Sequence, residues 1–165
     1  MVMAEGVTTI EENAFSGCSN LKRVVIPSSI TTVGEGAFNS CLKLTSINVT
    51  SLVEIGTNAF AGCTSLKSMT RSDTLTTIGA NAFMDSAITR LDLGKSIATV
   101  SATAFNAMNK LEDVYIWRSE YSDYQTNANR KPNVPDQNDD SVWGSNIGDA
   151  HVHWDNELKI NGTVI

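Results

Sequence analysis

The sequence predicts an α/β solenoid built from about five stacked coils of roughly 22–23 residues each. A parallel β-sheet, short second strands, helical turns and a C-terminal cap complete the expected architecture. Three observations point there. All five Phe fall at 15, 38, 60, 83 and 105, with successive separations of 23, 22, 23 and 22, and each follows an Ala. All three Cys stand three places after a Phe, at 18, 41 and 63. Pairs of apolar residues then recur in the same frame. A fixed period in the 20–50 range marks a repeat architecture and decides the fold before any local argument does.

Each repeat divides into three pieces. Six places after Phe come Leu21, Leu44, Leu66 and Leu111, with Ile88 one place early. The pairs Val24/Ile26, Ile47/Val49, Leu91/Leu93 and Val114/Ile116 follow, with Met69/Arg71 as the imperfect member. Apolar residues two apart share one face of a strand, so Leu-x-x-Val-x-Ile is expected to pair in parallel with its neighbours. Ile30/Val33, Leu52/Ile55, Leu75/Ile78 and Ile97/Val100 define a short second run, trailed by Gly34, Gly56 and Gly79; here glycine is expected to permit a turn that other residues would strain. Asn-Ala-Phe-x-x-Cys fits a helical turn, since positions i and i+3 share a face. The first unit supplies Met3, Val7 and Ile10. One coil alone buries too little to offset the entropy of ordering it, so stability must come from stacking.

The string Leu-x-x-Val-x-Ile-Pro-x-x-Ile-x-x-Val-Gly-x-x-Ala-Phe-x-x-Cys, read from Leu21 to Cys41, resembles the BspA-like (Treponema-type) leucine-rich repeats. The resemblance spans residues 3 to about 117. It implies a right-handed leucine-rich repeat coil, found mainly in surface and secreted proteins of host-associated bacteria and some protists, and an association with adhesion and protein contact rather than catalysis. Ser86 and Met108 stand where the pattern has Cys, Ser101 where it has Gly, and Arg71 in an apolar strand slot.

The expected organisation is a solenoid over 1–117 and an irregular loop with capping strands over 118–165. Residues 118–146 are polar and aperiodic, and Tyr121 and Tyr124 have the spacing to lid the last coil. Ala150, Val152 and Trp154 alternate with His151, His153 and Asp155 as in a half-buried strand. Asn161-Gly162 signals a hairpin turn. The chain enters mid-coil at Met1-Val2-Met3, which predicts a fragment of a longer array, or self-association through an uncapped first coil.

Charge and motifs narrow the function. The 12 basic against 18 acidic residues give a net charge of -6, opposite to the basic stripe of a phosphate-backbone binder. No stretch approaches the ~20 apolar residues of a membrane span, and Met1-Val2-Met3-Ala4-Glu5-Gly6, with neither a basic nor a long apolar run, is not expected to act as a signal peptide. Gly-x-Ser-x-Gly, Gly-x-Gly-x-x-Gly and His-Glu-x-x-His are absent, so no enzyme activity, cofactor or metal is expected. The three Cys occupy core slots and read as buried free thiols. His151 and His153 lie on one strand face with Asp149 and Asp155, a line rather than a tetrahedral cup. Asp136, Asn138 and Asp140 open like a calcium loop, but Ser141 and Ile147 stand where its Gly and Glu belong. Asn48-Val-Thr50 and Asn161-Gly-Thr163 are glycan acceptors only in a eukaryotic secretory protein.

What remains is the outward face of the strands. One column reads Val25, Asn48, Thr70, Asp92, Tyr115, and its neighbour Arg23, Ser46, Ser68, Arg90, Asp113. Arg23, Asn48, Arg90, Asp92, Tyr115 and Trp117 are the candidate partner-binding residues, the two aromatics because Tyr and Trp are enriched at binding hot spots. The expected function is a non-catalytic interaction or adhesion module, extracellular or at the cell surface, that binds a protein or glycan of a host or neighbouring cell. The alternative is a structural spacer, the terminal cap of a longer array, or a phage fibre component with no ligand of its own.

Overall fold

The structure is a computed structural model that describes residues 3–4, 6–117, 151–155, 159–160 and 163–164, with side chains as far as Tyr115. It is a parallel-sheet solenoid, and its continuous sheet is the short second run. Strands β1 (Thr9–Ile10), β2 (Thr32–Val33), β4 (Glu54–Ile55), β6 (Thr77–Ile78) and β8 (Thr99–Val100) form one five-stranded sheet in that order. Its register repeats without a slip: Ile10 pairs with Val33, Val33 with Ile55, Ile55 with Ile78, and Ile78 with Val100.

The Leu-x-x-Val-x-Ile row is less regular than the sequence predicts. It forms one pair, β3 (Ser46–Ile47) with β5 (Ser68–Met69), and one parallel trio, β7 (Arg90–Asp92), β9 (Asp113–Trp117) and β10 (His151–Asp155). The break between pair and trio has a cause in the chain. The steps from Ile47 to Met69 and from Met69 to Leu91 are equal, but the buried residue after Val49 in this row is Ser72, one place later than the same step would put it. The extra residue at Thr70-Arg71 swells the fourth coil as a bulge, which interrupts pairing locally. Arg71 is therefore turned outward rather than sitting in the apolar slot it was expected to occupy. Ser72 takes that slot at 1% exposure. Its hydroxyl lies 3.2 Å from the Leu52 carbonyl and accepts from the Leu75 amide at 3.2 Å, which offsets the cost of burying a polar group.

The helical turns are also replaced. No helix occurs among the described residues; each Asn-Ala-Phe-x-x-Cys segment is a run of tight turns whose amides alternate in direction. In the first coil Ala14, Ser16 and Cys18 donate to Glu11, Asn13 and Phe15 within the coil, while Asn13, Phe15 and Gly17 donate to Glu35, Ala37 and Asn39 of the next. The alternation needs a left-handed residue every fourth place. Asn13, Asn58 and Asn81 (φ 52–54°) supply one, and Ser40, Gly62 and Asp85 (φ 58–69°) the other. Asn and Asp tolerate that region better than most residues, so the recurrent Asn before Ala-Phe marks a left-handed turn.

Gly34, Gly56 and Gly79 follow the second run for a reason other than turn geometry, since none has positive φ. Coils approach there too closely for a side chain: a Cβ on Gly56 would lie 2.9 Å from the Gly34 carbonyl carbon, and one on Gly79 would lie 2.6 Å from the Thr57 nitrogen. Their amides donate to Ile10, Val33 and Ile55 of the preceding coil at 2.8 Å.

The core runs the length of the array. The five Phe stack face to face, with centroids 5.2, 5.3, 5.5 and 6.2 Å apart, close to the spacing of hydrogen-bonded strands. Phe38, Phe60 and Phe83 are completely buried, flanked by equally buried Ala37, Ala59 and Ala82 and by the Leu44, Leu66 and Ile88 row. Beyond the trio, β11 (Lys159–Ile160) and β12 (Thr163–Val164) form an antiparallel hairpin, with Ile160 opposite Thr163 on either side of the Asn-Gly pair. Tyr121, Tyr124, Asp136, Asn138, Asp140 and the 118–146 loop lie outside the described residues, as does the first pair of the chain.

Candidate functional site

The outward columns of the Leu row carry the residues expected to bind a partner. Strand pairing assembles its C-terminal half: Arg90 sits opposite Asp113 and Asp92 opposite Tyr115. The Arg90 guanidinium carbon lies 3.9 Å from the centroid of the Tyr115 ring, a cation–π arrangement that holds a cation against an aromatic face and is worth about 0.5–1 kcal/mol at an exposed site. Asp92 accepts from the Gly94 amide at 3.3 Å and lies 3.9 Å from Arg71 Nε. Arg71, lifted onto this face by the bulge, donates from Nε and Nη2 to Asp73 Oδ1 at 2.9 and 2.7 Å. That hydrogen bond holds the Asp73 carboxyl below the usual carboxylate range, with the charges of Arg71 and Lys95 adding to it.

The middle of the face is polar and preorganised. Asn48 Oδ1 accepts from Thr70 Oγ1 and from the Thr50 amide, both at 3.1 Å, and Thr70 Oγ1 accepts from the Val49 amide at 2.9 Å. Asn48 and Thr70 thus bridge two coils and are fixed in place, which lowers the entropy a partner must overcome. Val25 stands 51% exposed beyond them.

Of the expected residues, Arg90, Asp92 and Tyr115 come together, Asn48 is held by Thr70 of the following coil, and Arg23 is exposed on the second coil. Trp117 lies in β9, but its side chain lies outside the described residues, as do those of His151 and His153 on β10. Arg71 and Asp73 were not among the binding residues the sequence singled out. The signal for them was the step from Val49 to Ser72, one place longer than the step from Ile47 to Met69, which shifts Arg71 out of the inward frame.

The cysteines offer no comparable surface. Cys41 and Cys63 are buried free thiols, donating to the carbonyls of Phe15 and Phe38 at 3.2 and 3.1 Å. Cys18 differs from expectation: it is exposed, because it sits on the outermost described coil. Burial, and then the neighbouring cysteine, push Cys41 up to about 11 and Cys63 up to about 12. Both lie above the unfolded value, so their contribution to stability is complete below about pH 9 and is lost as pH rises towards 11–12. At pH 8 a thiol reagent, which attacks the thiolate, is expected to modify Cys18 alone, and all three after urea unfolding. Mass spectrometry of the timed reaction checks this; native labelling of Cys63 at the Cys18 rate would contradict it.

Among the described residues no group of three His, Cys, Asp or Glu is arranged to hold a metal ion, and no helix is long and apolar enough to cross a membrane.

A profile of the BspA type leucine rich repeat region matches residues 1–112 in six copies. The chain belongs to this family. Among solved structures, the leucine-rich repeat protein of Treponema pallidum is 31% identical with a TM-score of 0.67, over 70% of this chain and 57% of that one. A leucine-rich cell surface protein of Faecalibacterium prausnitzii is 25% identical with a TM-score of 0.63, over 68% of this chain and 30% of that one. A leucine-rich repeat protein of Bacteroides ovatus is 28% identical with a TM-score of 0.55, over 66% and 35% respectively. The chain therefore spans between about a third and just over half of these relatives. No functionally curated protein matches it.

Proposed function

We propose that this BspA-type leucine-rich repeat chain is a non-catalytic interaction module of a bacterial surface protein, which engages a partner protein through the outward face of its Leu row. The observation that carries this reading is the cluster of Arg90 on Tyr115 beside Asp92, Arg71 and Asp73 on the outward face of the Leu row. Such a face pairs rigid aromatic and guanidinium groups with fixed hydrogen-bonding residues, the composition that dominates binding energy at protein interfaces. Two further features support it. Repeat arrays bind through extended faces of this kind, and the F. prausnitzii relative is a cell surface protein.

The test is binding of the purified chain to immobilised host matrix proteins, with a glycan array in parallel and a Tyr115→Ser/Arg90→Ala variant beside it. The variant is expected to fold, by circular dichroism, and to lose about 2 kcal/mol of binding, or roughly 30-fold in affinity. Unchanged binding by the variant would move the site elsewhere, binding confined to glycans would change the partner class, and no binding by the parent would favour a spacer.

A further inference from the structure

The turn row is regular in every coil but the fourth. Leu21, Leu44, Leu66 and Leu111, six places after Phe, donate to Cys18, Cys41, Cys63 and Met108 at 2.8–3.0 Å. Two places earlier, Ser19, Leu42, Thr64 and Asn109 donate to Gly17, Ser40, Gly62 and Ala107 at 2.6–3.0 Å. The fourth coil is one residue short between Phe83 and Ile88, so Ala87 stands where the others have two residues. Among the described residues neither the Ala87 nor the Ile88 amide makes the corresponding bond. Ser86, 4% exposed, occupies the cysteine slot, but its hydroxyl has no partner, whereas the thiols of Cys41 and Cys63 reach a carbonyl of the preceding coil. Buried polar groups without partners are uncommon, and here one hydroxyl and two amides lie side by side.

That stretch borders a groove of about 390 Å³ that crosses the turn rows of four coils, with buried Ser86 and Ala87 among its lining and exposed Leu42, Thr64, Asp85 and Lys110 around them. We propose that this groove binds one neutral sugar ring. A sugar offers both donors and acceptors, and the groove has both: the Asp85 carboxylate accepts, Lys110 donates, Thr64 does either, and the Ala87 amide has no partner among the described residues. The C–H face of the ring matches Leu42 and Ala87. A small ion of either sign would meet a like charge at Asp85 or Lys110. Orphaned donors lined by small residues suit a ligand whose hydroxyls replace water. The groove lies on the turn row, so this site is separate from the Leu-row face.

The experiment is an amide-resolved nuclear magnetic resonance titration of the full chain with the methyl glycosides of glucose, galactose, mannose and N-acetylglucosamine, and with their di- and trisaccharides. Saturable shifts of the Ala87 and Ile88 amides are expected with at least one neutral sugar. Asp85→Asn keeps a residue that tolerates the left-handed backbone there (φ 59°) and is expected to weaken binding at least about fivefold. Thr64→Trp, which fills the groove from an exposed position, is expected to abolish it, and Lys110→Ala replaces it as the test if that variant does not fold. Tighter binding of the oligosaccharides identifies the end of a polysaccharide as the source, and equal binding a free sugar. The proposal is overturned if no sugar moves these amides, if the variants titrate like the parent, or if glucuronate or glucosamine moves them as strongly as the neutral sugars do.

Discussion

Replacing Phe60 by alanine is expected to lower the free energy of unfolding by about 3–5 kcal/mol, the range for removing a fully buried aromatic side chain. Phe60 has no exposed surface and lies between Phe38 at 5.3 Å and Phe83 at 5.5 Å. Its removal takes away two stacking partners at once and leaves a void that cannot collapse, because the backbones above and below are fixed. Phe60 donates its amide to Ala82, and Phe38 donates its own to Ala59. Stability in a repeat array is a sum of neighbour terms, so the end of the stack gives the control. Phe15 is only partly buried and meets one ring, at 5.2 Å, and Phe15→Ala is expected to cost less than half as much. Urea unfolding followed by circular dichroism measures both; equal losses would show that the stack contributes little beyond area.

The second large effect is expected at Gly94. Its φ of +70° lies in the left-handed region, and a Cβ there would overlap the Ser72 carbonyl group and approach Asp73 Oδ1 at 3.0 Å. Gly94→Ala therefore combines about 1–2 kcal/mol of backbone strain with about 1–3 kcal/mol of overpacking. Gly17 separates the two, since it shares the conformation (φ +72°) but has nothing within 4 Å of a Cβ. Gly17→Ala is expected to cost the strain alone. Thermal unfolding of the two variants isolates the collision. If Gly17→Ala proves as harmful as Gly94→Ala, the close contact between the fourth-coil bulge and the fifth coil is not what constrains this position.

The parts of the fold set by period were legible in the sequence. Phe, Cys and Leu recur because each occupies one layer of a stack, and a single chain displays that repetition without any relative for comparison. The parts set by backbone contact were not. Gly34, Gly56 and Gly79 look like turn glycines, yet their role is to let two coils touch, and nothing in a linear pattern separates the two reasons. The five-stranded sheet likewise lies in the run with fewer apolar residues. Its Thr-rich strands pair through backbone amides, while the richer Leu row is interrupted at Thr70-Arg71. Arg90, Asp92 and Tyr115 were recognisable as one face from strand alternation and coil spacing. Arg71 was not, since one inserted residue carries it out of the inward frame before Ser72 restores that frame.

The opposed hydrogen bonds of the two rows also bear on how the array responds to tension. Turn-row amides donate forwards, to the following coil, and second-run amides donate backwards, so among the described residues of the solenoid these backbone bonds tie each coil to its immediate neighbours in both directions. A pull on one end thus loads the outermost coil first, and the rest of the stack keeps its bonds intact. Rupture then proceeds one layer at a time, each step releasing one coil, or about 75–80 Å of extended chain. Under tension such an array acts as a graded shock absorber, lengthening in increments while the coils still stacked keep their shape.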